Sequence, residues 1–194
     1  MLRGEADVTE IRAEDILESR RGEVKRYRTE EPIEGTEFLT LRRFVDDRGS
    51  FLEIYRREAT HAGTEELARF FAGLDVAQMN WAVVDSTATV KGLHYHLKQT
   101  DVWFCPPEGK MKVVLWDLRR GSATSGALRT LVLGDGRGCW LKIPPGVAHG
   151  YRPLTAPCPL LYIVTRPFDL EDPDEYRIPW DHPEVRELWE VENG

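Results

Sequence analysis

The residues best placed to do chemistry are the histidines of Val90-Lys91-Gly92-Leu93-His94-Tyr95-His96. On a strand, side chains two apart face the same way, about 6–7 Å apart along the chain. His94 and His96 then project together, with Leu93 and Tyr95 on the other face. Paired imidazoles aimed into a cavity serve as proton-transfer groups or as metal ligands. A half-buried strand whose histidines only hydrogen-bond to neighbours has the same spelling. Two further residues bear on the choice: His149 follows the turn Pro144-Pro145-Gly146, and Tyr162 sits in the strand-like Leu161-Tyr162-Ile163-Val164. Taken singly, that turn merely sets a strand's entry angle, and a lone tyrosine packs more often than it reacts.

The elements that must position these residues are short strands. Residues 38–45 and 51–55 flank the turn Asp46-Asp47-Arg48-Gly49-Ser50 and predict a hairpin. A short helix is expected at 65–71. Strands are expected at 76–84, 89–96, 101–105, 110–118, 128–133, 138–143, 149–154 and 160–165. Many short strands separated by turn residues predict an all-β barrel or double-sheet jelly roll with short flanking helices. The charge-dense residues 1–31 read as an arm, 32–183 as the jelly-roll domain and 184–194 as a C-terminal tail. The acidic stretch punctuated by Pro167, Pro173, Pro179 and Pro183 is expected to wrap the surface with little regular structure.

Composition narrows the classes of function. A chain of 194 residues is long enough for one substantial core. Its net charge of −7 argues against general nucleic-acid affinity while leaving room for a local basic pocket. No apolar run approaches the roughly 20 residues that cross a bilayer. The acidic N-terminus lacks the apolar core of a signal peptide. The three cysteines, Cys105, Cys139 and Cys158, are odd in number and far apart, so no disulfide framework is expected and the reading is a reduced, cytoplasmic protein.

The His-x-His pair together with Pro-x-Gly-x-x-His makes the two-part cupin signature. Around it stand Asp47-Arg48-Gly49-Ser50-Phe51-Leu52-Glu53, Gln78-Met79-Asn80, Gly92-Leu93-His94-Tyr95, Asp117-Leu118-Arg119-Arg120-Gly121-Ser122-Ala123-Thr124, Ala148-His149-Gly150-Tyr151, Leu161-Tyr162 and Ile178-Pro179-Trp180-Asp181, in that order. The ordered set, from about residue 33 to 183, resembles the dTDP-4-dehydrorhamnose 3,5-epimerase family, cupin-fold enzymes of deoxysugar biosynthesis that are dimeric and metal-independent.

The resemblance implies an epimerase of a nucleotide-linked 4-keto-6-deoxyhexose. His94 takes the role of base and Tyr162 of opposite-face acid, with His149 lining the same pocket. Arg48, Phe51, Glu53, Gln78 and Asn80 match positions used around the nucleotide and its diphosphate, and Lys91 and His96 complete the substrate-binding set. It further implies a nucleoside-diphosphate sugar as partner, a homodimer, an N-terminal arm extending the partner's sheet, and neither cofactor nor metal.

Three departures stand out. Lys91 replaces an arginine and loses its bidentate fork. Asp101 stands where the family places a lysine that steadies the enolate, leaving Lys98 or Lys91 to compensate. In the family the aspartate that orients the base comes from a longer C-terminal region, so here that partner is either missing or supplied by another acid such as Asp181.

Two alternatives remain open at this point. His94, His96, Asp101 and His149 have the spacing of a metal-dependent cupin isomerase or dioxygenase, for which three nitrogens and one carboxylate suit a first-row transition metal. A relative that binds and does not catalyse is the other.

Overall fold

Residues 101–105 show how the strands are used, because every one of them is buried. Asp101, Trp103 and Cys105 face one way, Val102 and Phe104 the other, and both faces are covered. Such a strand reads as a continuous apolar run instead of a clean alternation.

The computed structural model describes residues 31–191 together with Glu18. The chain divides at Glu31–Pro32, and the second unit, Pro32–Gly194, is compact. The expected arm at 1–31 lies outside the described residues, and the elements named here belong to the second unit. In chain order they are β1 (Glu37–Thr40), β2 (Arg43–Asp46), β3 (Gly49–Leu52), α1 (Glu65–Phe71), β4 (Gln78–Val84), β5 (Lys91–Tyr95) and β6 (Asp101–Cys105). Then come β7 (Lys110–Asp117), β8 (Leu128–Gly134), β9 (Cys139–Ile143), β10 (Val147–Pro153), β11 (Cys158–Val164) and β12 (Tyr176–Arg177), with a 3₁₀ turn at Arg186–Trp189. One antiparallel sheet has the order β1-β9-β6-β11-β4 and the other β12-β5-β10-β7-β8, while β2 and β3 pair only with each other. The protein is an all-β, cupin-type jelly-roll barrel.

The core has three layers. Between the sheets lie Trp103, Cys105, Met111, Val113, Leu141 and Tyr151 with their neighbours. On the outer face of the first sheet, Phe70 and Phe71 of α1 pack against Trp140, Phe104 and Val102. On the outer face of the second, Leu93, Val114 and Ala148 are covered by Val185 and Trp189. The C-terminal segment therefore has little regular structure, as expected, yet it supplies two buried core side chains. The three cysteines are buried free thiols. No helix among the described residues is long and apolar enough to cross a membrane.

Two departures from the sequence reading have clear causes. The strand expected at 38–45 breaks at Leu41-Arg42. Leu39 and Leu41 turn into the core and the Leu41 N–H donates to the Gly138 carbonyl at 2.8 Å, whereas the β2–β3 hairpin beyond them is exposed. The two-residue β12, absent from the reading, adds to the edge of β5.

The loop after β7 is organised by Asp117. Its fully buried carboxylate accepts from Arg119 Nε at 2.8 Å and Nη2 at 2.9 Å, from Ser122 Oγ at 2.5 Å and from Thr124 Oγ1 at 2.7 Å. Burial opposes its charge, but these donors outweigh burial and hold the carboxyl below the ordinary aspartate range. Its contribution to stability is present above the unfolded value of 3.8 and is lost as pH falls below it. Asp117→Ala is expected to destabilise the fold by about 2–4 kcal/mol, between the loss of charged hydrogen bonds and the stranding of buried partners. Urea unfolding at neutral pH checks this, and a loss under about 1 kcal/mol would show the loop to be held by other contacts.

Candidate active site

Strand periodicity places the first pair as the sequence predicts: His94 and His96 share a face while Leu93 and Tyr95 pack outside with Trp189 and its neighbours. His149 arrives beside them because β10 pairs with β5 in the register His149↔His94. That register slips between His149 and Tyr151, where a side chain on Gly150 would come within 2.6 Å of the Lys91 carbonyl oxygen. Only glycine permits so close a backbone approach. The three imidazoles form a cluster with ring centroids 4.3 Å apart for His94–His149, 5.2 Å for His94–His96 and 5.7 Å for His96–His149.

Asp101 reaches the cluster from the facing sheet. Its Oδ2 lies 3.3 Å from His149 Nε2 and its Oδ1 lies 3.5 Å from His96 Nε2. Gln99 Nε2 donates to Oδ1 at 2.7 Å and Trp103 Nε1 to Oδ2 at 3.2 Å. Burial penalises this carboxylate, but the His149 bond, the nearby His149 and His96 rings and Gln99 together hold it below the ordinary range. His94 is lowered as well, with burial as the main cause. Burial first, and then His149, lower its value from 6.5 to about 3, against a partial compensation by Asp101. His94 is therefore a neutral imidazole at working pH.

The other ring nitrogens are fixed by backbone carbonyls. His149 Nδ1 donates to Val147 O at 2.9 Å, and His96 Nδ1 donates to Asp174 O. Asp174 also accepts the N–H groups of Leu97, Lys98 and Gln99 on its carboxylate, at 2.9, 2.8 and 3.0 Å. One residue of the C-terminal segment thus holds both the turn after β5 and the orientation of His96.

His94, His96, Gln99, Asp101, Trp103 and Asp174 line a cavity of about 950 Å³ between the two sheets, within the size range of sites for small organic ligands, whereas His149, expected in the same lining, is buried behind them. Tyr162 lines it from β11, opposite His94 on β5. Burial, followed by the charges of Asp101 and Glu175, pushes its phenol upward, so the hydroxyl keeps its proton. Gln78, Asn80 and Lys91 line the cavity as well. Gln78 Nε2 donates to Asn80 Oδ1 at 2.7 Å, and its Oε1 accepts the Phe168 N–H at 3.0 Å.

The structure does not bring the hairpin residues to this cavity. Arg48 and Phe51 line a separate shallow concavity on β2–β3. Arg48 is 90% exposed and pairs with Asp46 at 2.6 Å. Glu53 pairs with Arg56 at 2.8 Å. Asp181 is exposed and does not line the cavity, so the acid among the histidines is Asp101, bonded to His149. Lys98 pairs with Asp172 at 3.4 Å in an exposed position. Residues the sequence reading missed are Trp103, Asp174, Glu175 and Arg177, all at the cavity. For the last three the available signal was weak: a polar run too rich in proline to be a strand, running past a site that needs a wall.

Comparison with known proteins bears on this arrangement. The family model described as dTDP-4-dehydrorhamnose 3,5-epimerase matches residues 30–193. The spore coat polysaccharide biosynthesis protein SpsL of Bacillus subtilis is 37% identical over 161 residues, covering 82% of this chain and 98% of that protein. The dTDP-4-dehydrorhamnose 3,5-epimerase of Pseudomonas aeruginosa is 31% identical over 155 residues, covering 78% of this chain and 79% of its own length. Among solved structures, the Bacillus anthracis dTDP-4-dehydrorhamnose 3,5-epimerase, with TDP and PPi bound, aligns with a TM-score of 0.70 at 25% identity, covering 84% of this chain and 90% of that one. With its fold and histidine-lined cavity, and a match over most of its length, this chain belongs to the dTDP-4-dehydrorhamnose 3,5-epimerase family of sugar-nucleotide epimerases and isomerases.

Proposed function

We propose that the protein epimerises a nucleotide-linked 4-keto-6-deoxyhexose at C3, C5 or both, in cytoplasmic deoxysugar biosynthesis. The observation that carries this reading is the placement of a neutral imidazole, His94, and a protonated phenol, Tyr162, on facing sheets of one cavity. A 4-ketone acidifies the protons on its neighbouring carbons. His94 removes one, the electrons move into the enolate, and Tyr162 returns a proton to the same carbon from the opposite face. Solvent then takes the proton from His94 and restores the one on Tyr162. No redox cofactor or metal is needed, because the step only exchanges protons. His96, Gln78, Asn80 and Lys91 bind and orient the sugar nucleotide, with Lys91 supplying positive charge, and His149 packs against His94 from behind.

We assign Arg48, Phe51 and Glu53 to the cavity of a second copy in a homodimer. Phe44, Val45 and Phe51 leave the hairpin apolar and exposed, and the edge strand β4 presents Met79, Trp81 and Val83 outward. An open strand edge carrying such a patch favours a partner. Sedimentation at micromolar concentration should give a dimer, and a monomer there would remove the assignment. Arg48→Ala should weaken nucleoside diphosphate binding by about ten- to hundredfold, the value of a charge-assisted hydrogen bond, and leave folding intact. Unchanged affinity in calorimetry would take Arg48 out of the site.

The catalytic pair makes separate predictions, read with dTDP-4-keto-6-deoxyglucose in deuterated water. His94→Ala should abolish exchange at C3 and C5. Tyr162→Phe should keep exchange and lose inversion, since the enolate still forms and its correct reprotonation fails. Each loss should reach about 10²–10⁴-fold, and a loss below tenfold is too small for either role. Because His94 stays neutral well below the ordinary histidine value of 6.5, exchange should hold between pH 7.5 and 5, where an ordinary histidine base would lose about thirtyfold. The sign for stability is the reverse. A depressed histidine stabilises the fold above 6.5, and that contribution declines as pH falls toward 3, so circular dichroism must accompany the pH series.

A further inference from the structure

The hydrogen bonds around the histidine cluster have a pattern that proton transfer alone does not require. His96 and His149 each donate their outer nitrogen, Nδ1, to a main-chain carbonyl, of Asp174 and Val147. A carbonyl only accepts, so Nδ1 carries the proton and the lone pair of each neutral ring lies on Nε2, facing inward. A backbone hydrogen bond at Gly92 also engages the His94 ring. The inward nitrogens meet the Asp101 carboxylate, itself oriented by Trp103 and Gln99. One ligand atom from each of His94, His96, Asp101 and His149 lies within 4.8 Å of all the others. Four ligands held at about 2.0–2.2 Å from one ion stand about 3.3–3.6 Å apart in a tetrahedron. The observed contacts of Asp101 with the two Nε2 atoms, 3.3 and 3.5 Å, already have that separation.

Electrostatics points the same way. A carboxylate and converging lone pairs in a dry interior repel one another unless a proton or a cation stands between them. Gln99 Nε2 now does part of this, bridging Asp101 Oδ1 at 2.7 Å and His96 Nε2 at 3.2 Å. An N–H group set between two acceptors marks the place that a cation would take. Three imidazole nitrogens and one carboxylate oxygen are a donor set that suits a divalent ion of the zinc, cobalt or nickel kind. Imidazoles braced from outside by carbonyls are the usual support of such a centre.

We propose that His94, His96, Asp101 and His149 bind a first-row divalent metal ion, and that the ion switches the enzyme off by taking the lone pair His94 needs as a base. The binding half stands by itself, and the inhibitory half rests on the epimerase reading. The two functions of His94 exclude each other: bound to metal, it cannot accept a proton from the sugar. The site is then an inhibitory one in an enzyme whose chemistry needs no metal.

The test begins with chelator-treated protein and cobalt(II) chloride alone. We expect one ion per chain in calorimetry, a dissociation constant at or below micromolar, and the intense visible absorption of low-coordinate cobalt. In the wild type the bound cobalt should produce three paramagnetically shifted imidazole N–H resonances, one for each braced ring, a readout that needs no variant. His96→Ala and the near-isosteric Asp101→Asn should each weaken binding by at least a hundredfold. Binding no tighter than millimolar, or affinity unchanged in both variants, overturns the site. Zinc chloride added to one equivalent should stop deuterium exchange, and chelator should restore it. Binding with exchange unaffected overturns the switch and leaves the site standing. Protein that binds cobalt yet never exchanges any 4-keto sugar nucleotide refutes the epimerase reading and not the metal site.

Discussion

The interior of this barrel depends on how one carboxylate is kept in it. Asp101 is 3% exposed and sits on a strand whose other residues are hydrophobic. An isolated charge there would cost several kcal/mol or be neutralised. Gln99 and Trp103 donate to it, and the Nε2 atoms of His149 and His96 stand 3.3 and 3.5 Å from its two oxygens. Each of those groups needs its own support. Trp103 stacks edge-on against His149 and Tyr151, His149 is braced by Val147, and Gln99 belongs to the turn that Asp174 holds through three N–H groups. The wall of the cavity at 166–180 and the C-terminal core residues Val185 and Trp189 are thereby tied to the chemistry, since they seat the segment from which Asp174 reaches in.

Much of this arrangement is legible in the residue pattern because strands obey a period of two. That rule puts His94 and His96 on one face and separates them from Leu93 and Tyr95. It cannot say which strands become neighbours. The approach of His149 to His94 follows from β10 pairing with β5, and the approach of Asp101 from the packing of two sheets, neither of which is a local property. For this reason Asp101 reads in sequence as an acid opposing the enolate, while in the structure it is the anchor of a histidine cluster. Asp181 reads as a candidate partner on motif order alone, and it lies exposed outside the cavity, one residue beyond Trp180, which lines the cavity and whose carbonyl accepts from Trp189 Nε1.

The apolar residues fall into two populations that composition cannot distinguish. Met79, Trp81 and Val83 alternate with Gln78, Asn80 and Ala82 along β4, and it is the polar set that turns inward to the cavity. This inverts the usual half-buried strand. The inversion is stable only where the interior is a polar cavity and something apolar meets the exterior, which is why a second copy and an inward-facing sugar nucleotide belong to one reading. The β2–β3 hairpin shows the same inversion, with Phe44 and Phe51 exposed and touching each other at a ring separation of 6.4 Å.

His94 concentrates the conflict between burial and reactivity. Burial and a neighbouring ring hold its proton affinity well below that of a free imidazole, which keeps it unprotonated and also makes it a weak base for a carbon acid. The two effects are reconciled by what the reaction creates. On the proposed epimerase reading, an enolate forming next to His94 would place negative charge beside the proton just accepted, in a cavity where such an interaction is only partly screened. The low affinity of the resting site is then a property of the free protein, and the substrate's own developing charge raises it during the step. Asp101 gives a smaller, permanent contribution of the same sign. Asp101 meets the cavity with Nε2 of His149 and of His96 at its two oxygens, 3.3 and 3.5 Å away, so its charge reaches His94 beside two other imidazoles.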